Sequence, residues 1–208
     1  GGTMEPVSAA FVVNGDTVTF KLGTVDPSRT LFIDPSVNFS RRFGGNTTDY
    51  NIDMKEDATG RFFGGITFST NFPTTAGVIQ PTALGTPDWY VAKFNTNNDT
   101  LLWSTFLGSS SSDYGGHLVL LANGNIVVAG HALNAHSGVG FGGSIPPIAI
   151  NATASTTYQA VVYEMNSTGT ARVRSVRFGG NTTTYVGGIE QNPTTGDYYV
   201  VGETFVSC

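Results

Sequence analysis

The sequence predicts an all-β protein in which four-stranded antiparallel blades follow one another, as in a β-propeller, after a short N-terminal β-hairpin. Three observations support this prediction. Thr, Gly and Asn are abundant, with 28, 27 and 15 among 208 residues, whereas Lys occurs only three times. Such a composition suits strands and turns. Turn sequences alternate with short apolar runs, and the same order of landmarks recurs three times along the chain.

The composition also excludes several classes of protein. Charged residues make up only 12% of the chain, which excludes a coiled coil or a helical bundle. A net charge of -5 without a Lys/Arg run excludes an electrostatic nucleic-acid binder. No apolar stretch approaches the roughly 18 residues of a membrane span. A hydrophobic fraction of 39% is sufficient for a folded core.

The N-terminal segment differs from the rest of the chain. Residues 11–20 (FVVNGDTVTF) predict a hairpin, because Asn14-Gly15 is a strong two-residue turn signal between apolar runs. We therefore divide the chain into a β-hairpin lead-in, 1–36, and a propeller-like repeat domain, 37–208. Three repeats are predicted within this domain, at about 37–100, 101–170 and 171–208, the last of them incomplete.

Near the start of each repeat, an aromatic residue or Leu is followed by Gly, a polar cluster and Tyr. An opening strand is predicted to lead into this motif at 101–107 and 171–178 in the second and third repeats. The three openings are residues 43–50 (FGGNTTDY), 107–114 (LGSSSSDY) and 178–185 (FGGNTTTY). A hairpin follows each opening, and its second strand is predicted at 61–68, 125–133 and 197–205. A closing strand is predicted at 88–95 and again at 159–166. The second repeat is longer than the first, and we place the extra residues in a loop from about 135 to 154. Asp49 and Asp113 recur before Tyr, so we expect them to cap the opening turn.

Three segments resemble the SBBP-type β-propeller repeat of secreted and cell-surface proteins. They are residues 72–80 (FPTTAGVIQ), 88–95 (DWYVAKFN) and 103–108 (WSTFLG). The resemblance covers about residues 31–208 and is weaker in the second repeat, where residues 141–150 replace the FPTT-G loop. Thr184 also departs from the acidic pattern. The resemblance implies an extracellular or cell-surface location and a bladed architecture. It carries no catalytic residues.

The cysteine content, the N-terminus and the Asn-X-Ser/Thr sites add three further expectations. Cys208 is the only cysteine, so no disulfide can form within the chain, and it is either a free thiol or pairs with a cysteine beyond this chain. The absence of an initiating Met suggests a mature or excised segment. Six sites match the Asn-X-Ser/Thr pattern, which indicates either N-glycosylation of a secreted protein or a turn-forming Asn followed by Ser or Thr. They are Asn38, Asn46, Asn98, Asn151, Asn166 and Asn181.

The candidate chemical groups do not form a catalytic pattern. His117, His131 and His136 match no zinc-ligand spacing, so we interpret them as surface or structural residues. The acidic run Asp53, Glu56 and Asp57, with Asn51 before it, fits a calcium loop only in part. We interpret this run as a solvated strand and turn. Residues 138–144 are rich in Gly, as a phosphate-binding loop is. We do not interpret them as such a loop, because no helix follows and no Gly-Lys-Ser/Thr occurs.

The aromatic residues and the nucleophiles complete this survey. Trp89, Tyr90 and Trp103 could stack on sugars, but their alternating strand positions favour the core. No Gly-X-Ser-X-Gly elbow is present. We therefore assign no catalytic, cofactor-binding or metal-binding residue, and we expect no cofactor.

These observations predict a non-enzymatic extracellular structural or adhesive repeat protein, a building block of a surface appendage, filament or larger multimeric scaffold. The open edges of an incomplete blade need a partner strand. The expected partners are copies of the chain or flanking domains of a longer chain, and surface glycans are a further possibility. The alternative is a carbohydrate-active or glycan-binding secreted β-propeller. An active enzyme of that kind would need two carboxylates that converge at one end of the blades.

Overall fold

The computed structural model of the chain describes residues 5–14, 17–31, 42–96, 100–133, 148–150, 156–180 and 182–205. Strands, turns and bends account for all the regular structure in these ranges, which contain no helix. The all-β prediction is therefore confirmed. It follows that no helix in the described ranges is long and apolar enough to cross a bilayer.

The chain divides into two compact units, Gly1–Ser40 and Arg41–Cys208. The first unit contains an antiparallel hairpin, which confirms the predicted hairpin of the lead-in. Its strands are β1 (Ala9–Asn14) and β2 (Thr17–Leu22). Asn14 pairs with Thr17 and is therefore the last residue of β1, whereas the Asn-Gly signal places it within the turn, so the turn lies one residue later than predicted.

The second unit begins with a four-stranded antiparallel sheet, here called the first sheet. Its strands are β3 (Asp49–Asp57), β4 (Gly60–Thr67), β5 (Asp88–Phe94) and β6 (Leu101–Leu107), in that spatial order. Every residue of β5 is buried, because this strand lies inside the sheet and is covered on both faces. The predicted closing strand is thus the best-buried strand of the first sheet.

The second sheet has five strands in the order β7-β8-β10-β11-β9. They are β7 (Asp113–Leu120), β8 (Ile126–Leu133), β9 (Ile148–Ile150), β10 (Tyr158–Met165) and β11 (Arg172–Phe178). β9 is parallel to β11, so the prediction of four antiparallel strands needs correction here. The predicted loop from 135 to 154 contains this strand, which occupies the otherwise unpaired edge of β11. In the first sheet, the Phe106 amide likewise donates to the Gln80 carbonyl beside β6.

The third sheet is a hairpin of β12 (Thr184–Gln191) and β13 (Tyr198–Thr204). Each sheet begins one strand later than the predicted repeat. The opening strands β6 and β11 pair with the preceding closing strands, β5 and β10. Short turns explain this pairing, because the Asn95 amide donates to the Thr100 carbonyl and the Asn166 amide to the Ala171 carbonyl.

The three sheets of the second unit pack face to face around two shared cores. The first core lies between the first and second sheets and includes Trp89, Leu118 and Tyr163. The second core lies between the second and third sheets and includes Val127 and Ile189. A third cluster, around Phe72 and Phe106, covers the opposite face of the first sheet. Burial between the sheets therefore joins them into one unit.

Glycines allow the closest approach between the first two sheets. A Cβ atom at Gly64 would lie 2.2 Å from the Gly116 carbonyl oxygen and 2.8 Å from the Leu118 side chain. Such distances are shorter than van der Waals contact, so the two sheets would have to separate. The first core depends on this contact because Leu118 belongs to it.

Replacement of Gly64 by alanine should therefore lower the free energy of unfolding by about 1–3 kcal/mol, the usual effect of overpacking. Denaturant unfolding followed by circular dichroism measures this change. Gly180→Ala is the matched control, because no atom lies within 4 Å of a Cβ atom built there. Equal stability of the two variants would show that the sheets do not approach each other as closely as described.

Candidate functional site

The same irregularity occurs in the first hairpin of each sheet. The register shifts at Asn51/Asp53 in the first sheet, and at Gly115/His117 and Val186/Gly188 in the other two. A bulge of this kind re-aims the side chains that follow it. Asp53, His117 and Gly188 therefore occupy equivalent positions, one in each sheet.

These three positions line one cleft of about 400 Å³. A volume of this size lies within the usual range of small-molecule sites. The cleft brings together residues from β3, β7, β12 and β13, so it depends on the packing of all three sheets. Its β3 wall combines the apolar Ile52 with the charged Asp53 and Lys55, and its β13 wall is aromatic and apolar. The principal side chains are Asp53, Lys55, His117, Glu190, Tyr199 and Val201.

Lys55 is the central charge of the cleft. Its Nζ atom lies 3.0 Å from Glu190 Oε1 and 3.9 Å from Asp53 Oδ2. Asp53 Oδ2 also accepts a hydrogen bond of 2.9 Å from the Leu118 amide, which ties β3 to β7. The two carboxylates thus share one cation, and Glu190 is largely solvent-exposed, so its ion pair contributes little to stability.

The two described histidines are adjacent but belong to different environments. Burial lowers the pKa of His117, while the charge of Asp53 opposes that shift. Burial also lowers the pKa of His131, to about 4, so this imidazole is neutral at pH 7. Its Nδ1 atom accepts a hydrogen bond of 3.3 Å from the Val186 amide, and its ring packs against Tyr185. This pattern agrees with a structural histidine that joins the second and third sheets.

The acidic run of β3 is not gathered around one point. Glu56 pairs with Arg61 at 2.9 Å. Asp57 accepts hydrogen bonds from the Thr59 and Gly60 amides and so closes the hairpin turn. Asp53 points instead into the cleft. Within the ranges that the structure describes, no group of three His, Cys, Asp or Glu residues could hold a metal ion.

The aromatic candidates belong to the core. Trp89, Tyr90 and Trp103 are all buried, which confirms the interpretation from their strand positions. The Trp103 indole also donates a hydrogen bond of 3.2 Å to the Ser167 carbonyl and so links the first two sheets. None of these three rings is available as a platform for a sugar.

Two of the six glycosylation candidates lie in the described ranges. Asn46 is exposed, and its backbone amide donates to Asn71 Oδ1. The Asn166 side chain forms a turn, because its Oδ1 atom accepts from the Thr170 amide and its Nδ2 atom donates to Thr170 Oγ1. The remaining candidates lie outside the described residues, as do three other features of the sequence prediction. These are Asn38, Asn98, Asn151 and Asn181, together with His136, residues 138–144 and Cys208.

The expected turn caps are confirmed. Asp49 Oδ2 accepts a hydrogen bond of 2.7 Å from the Gly45 amide, and Asp113 Oδ2 accepts one of 2.5 Å from the Ser109 amide. Asp113 is fully buried, and so is Asp88 nearby. Burial, assisted by the charge of Asp88, raises the pKa of Asp113 to about 8.

The sequence analysis missed Lys55, Glu190, Tyr199 and Val201 as residues of the cleft. Lys55 and Glu190 are 135 positions apart, and no local motif joins them. An alignment of the three hairpins places Lys55 and Glu190 at the same repeat position, which signals equivalence but not contact.

No protein-family model matches the chain, and no curated protein matches it significantly. The residues and the geometry are therefore the basis for any functional proposal.

Proposed function

We propose that this chain is a non-enzymatic extracellular structural or adhesive protein, and that it is a building block of a surface appendage, filament or larger multimeric scaffold. Its sheets are blades of a propeller-like array. The observation that carries this proposal is the repeated stacking of the sheets. β7 packs on β3, β4 and β5, and β12 packs in the same way on β7, β8 and β10.

The edge of the third sheet supports an assembling role. In the first two sheets, the second strand of the hairpin has a neighbour on each side. β13 is paired only with β12 in the part of the chain that is described. An unpaired edge of this kind accepts a strand from another segment or another chain.

Electron microscopy of the protein from its native source, with mass spectrometry of the intact chain, tests this function. We expect multi-subunit assemblies in which this chain is the repeating unit. Discrete particles formed by a single, much longer polypeptide would contradict the building-block proposal. They would instead indicate a closed propeller within one chain.

The cleft favours a second candidate, a glycan-binding or carbohydrate-active propeller. Two carboxylates, Asp53 and Glu190, flank Lys55 there, and the exposed ring of Tyr199 lies on the cleft wall. An aromatic ring beside a few convergent polar groups is the usual lining of a small-molecule site. A glycan array with Tyr199→Ala tests this candidate, and Tyr50→Ala is the control because Tyr50 is similarly exposed. Binding that both variants retain would exclude the cleft as the glycan site.

A further inference from the structure

Two arginines of β11 lie on the buried face of the second sheet. Arg172 and Arg177 are the register partners of Met165 and Val161 on β10, and both of these partners belong to the core between the first and second sheets. Residues that lie directly opposite each other in an antiparallel pair share a face of the sheet. The two arginines therefore lie on the same face as that core, with Ser175 between them on the strand.

A β-bulge brings Arg172 to this face. The register of β10 with β11 shifts there, so that Met165 pairs with Arg172 rather than with Val173. In a regular strand, two residues five positions apart face opposite sides, as Arg172 and Arg177 would. The bulge re-aims Arg172, and its Nη1 atom donates a long hydrogen bond of 3.5 Å to Ser175 Oγ. Its side chain thus extends along the strand in the direction of Arg177.

These two guanidinium groups have buried donors without acceptors. Arg177 is 8% exposed, and its Nε and Nη1 atoms have no hydrogen-bond partner among the residues that the structure describes. The same is true of Arg172 Nη2. Arg174, on the other face of the strand, forms an ion pair of 2.6 Å with Glu164. A buried guanidinium loses its hydration, so folded proteins normally supply it with an acceptor.

The first sheet has an apolar ring at the equivalent position. The strand register aligns Arg177 with Phe106, because their partners Val161 and Tyr90 are equivalent. Phe106 is 1% exposed and packs in an apolar cluster that includes Tyr90. The second sheet thus has a cation where an aromatic side chain fills the core of the first. Packing alone does not account for this arginine.

We propose that Arg172, Ser175 and Arg177 bind an oxyanion such as sulfate or phosphate. Guanidinium groups suit the oxygens of these anions, and a charge-assisted hydrogen bond is about twice as strong as a neutral one. The donors lie on two side chains with a hydroxyl group between them, an arrangement that suits an anion with several oxygens. The anion also neutralises two like charges on one face. This inference goes beyond the proposed function and does not depend on assembly of the chain.

The position of the site on the sheet leaves it open to a small anion. β9 pairs with β11 only at 176–178, so in the described ranges Arg172 and Ser175 lie beyond the strand that covers this edge. Arg172 is half-buried, whereas Ser175 and Arg177 are buried. We therefore expect an anion to enter beside Arg172.

Isothermal titration calorimetry with sodium sulfate and sodium phosphate, in a chloride buffer of constant ionic strength, tests this site. We expect saturable binding of one anion per chain. Arg177→Met should weaken binding at least tenfold, because it removes two of the three donors that lack acceptors. Arg61→Met is the matched control, because it removes the same charge but Arg61 is already paired with Glu56 at 2.9 Å. Its affinity should equal that of the unmodified chain.

The source of the anion is distinguished by methyl sulfate and methyl phosphate. Affinity equal to that for the inorganic anion would support the site and assign it to an esterified group. Weaker binding of the esters would support the site and assign it to a free anion.

A second variant keeps the test decisive if Arg177→Met does not fold, which circular dichroism shows. Arg172→Met changes the half-buried end of the site and should also weaken binding at least tenfold. Unchanged affinity in either folded variant would mean that the anion binds elsewhere, and the proposed site would be wrong. If the unmodified chain shows no saturable binding at tens of millimolar of either anion, the proposal is overturned, and water satisfies these donors.

Discussion

Replacement of Trp89 by alanine should lower the free energy of unfolding by about 3–5 kcal/mol, the range for truncation of a large buried aromatic residue. Trp89 is 0% exposed and belongs to the core shared by the first and second sheets. Its ring lies against Gly130 of β8, where a Cβ atom would be 2.4 Å from Trp89 Cζ2. A cavity at this point would remove contacts between two sheets as well as within one.

Denaturant unfolding monitored by circular dichroism measures this loss. Leu102→Ala is the control, because Leu102 lies on β6 of the same sheet but is exposed, and its replacement should change stability by less than about 0.5 kcal/mol. A loss below about 1 kcal/mol for Trp89→Ala would mean that the two sheets do not share a core. A single cooperative transition in both variants is expected, since the first core joins residues of both sheets.

Strands and turns were predictable because local sequence determines them. The turn at 123–125 requires a positive φ at Gly124, where φ is 84°. The short continuous apolar runs on either side, at 118–121 and 126–129, then favour strands. Capping by Asp49 and Asp113 was also predictable, since each carboxylate bonds an amide four positions earlier. Such features need no knowledge of distant residues.

The pairing of strands was less predictable, because it depends on distant partners. Ile148–Ile150 lies in a Gly- and Pro-rich segment, and its strand exists only because β11 offers a free edge to it. The membership of β6 in the first sheet was also missed. A short turn joins β5 to β6, which favours their pairing over the predicted grouping by repeat.

The cleft was missed for a further reason. Asp53 and His117 meet there only after two sheets have stacked, and the bulges then aim both side chains at the same space. Neither the composition nor the spacing of the sequence motifs indicates how the sheets stack. The alignment of repeats gives equivalent positions, but it does not indicate which of these positions approach one another.

Between pH 5 and pH 8, stability should fall as the pH rises, and Asp113→Asn should remove most of this dependence. Asp113 is completely buried, and this burial is the main reason that its pKa rises to about 8. Hydrogen bonds from the Ser109 amide and hydroxyl oppose the shift but do not cancel it. The negative charge of Asp88 also raises the pKa of Asp113.

The sign follows from proton binding in the two states. The unfolded carboxyl group has its ordinary pKa of 3.8, so between pH 4 and pH 8 the folded state holds a proton that the unfolded state has lost. The contribution of Asp113 to stability is therefore fully present below about pH 4, and it is lost as the pH approaches 8. One such group changes the free energy of unfolding by at most about 1.4 kcal/mol per pH unit.

Urea unfolding at pH 5, 6, 7 and 8 measures this slope. The asparagine carbonyl can still accept from the Ser109 amide, so Asp113→Asn keeps the cap while removing the titrating group. Asp88→Asn is the comparison, because burial also raises the pKa of Asp88, but the Leu84 and Gly85 amides and Gln80 stabilise its charge. Asp88→Asn should therefore reduce the pH dependence of the free energy of unfolding less than Asp113→Asn does. Parallel profiles for Asp113→Asn and the unmodified chain would show that Asp113 is ionised throughout this range, because a group already charged in both states contributes no slope.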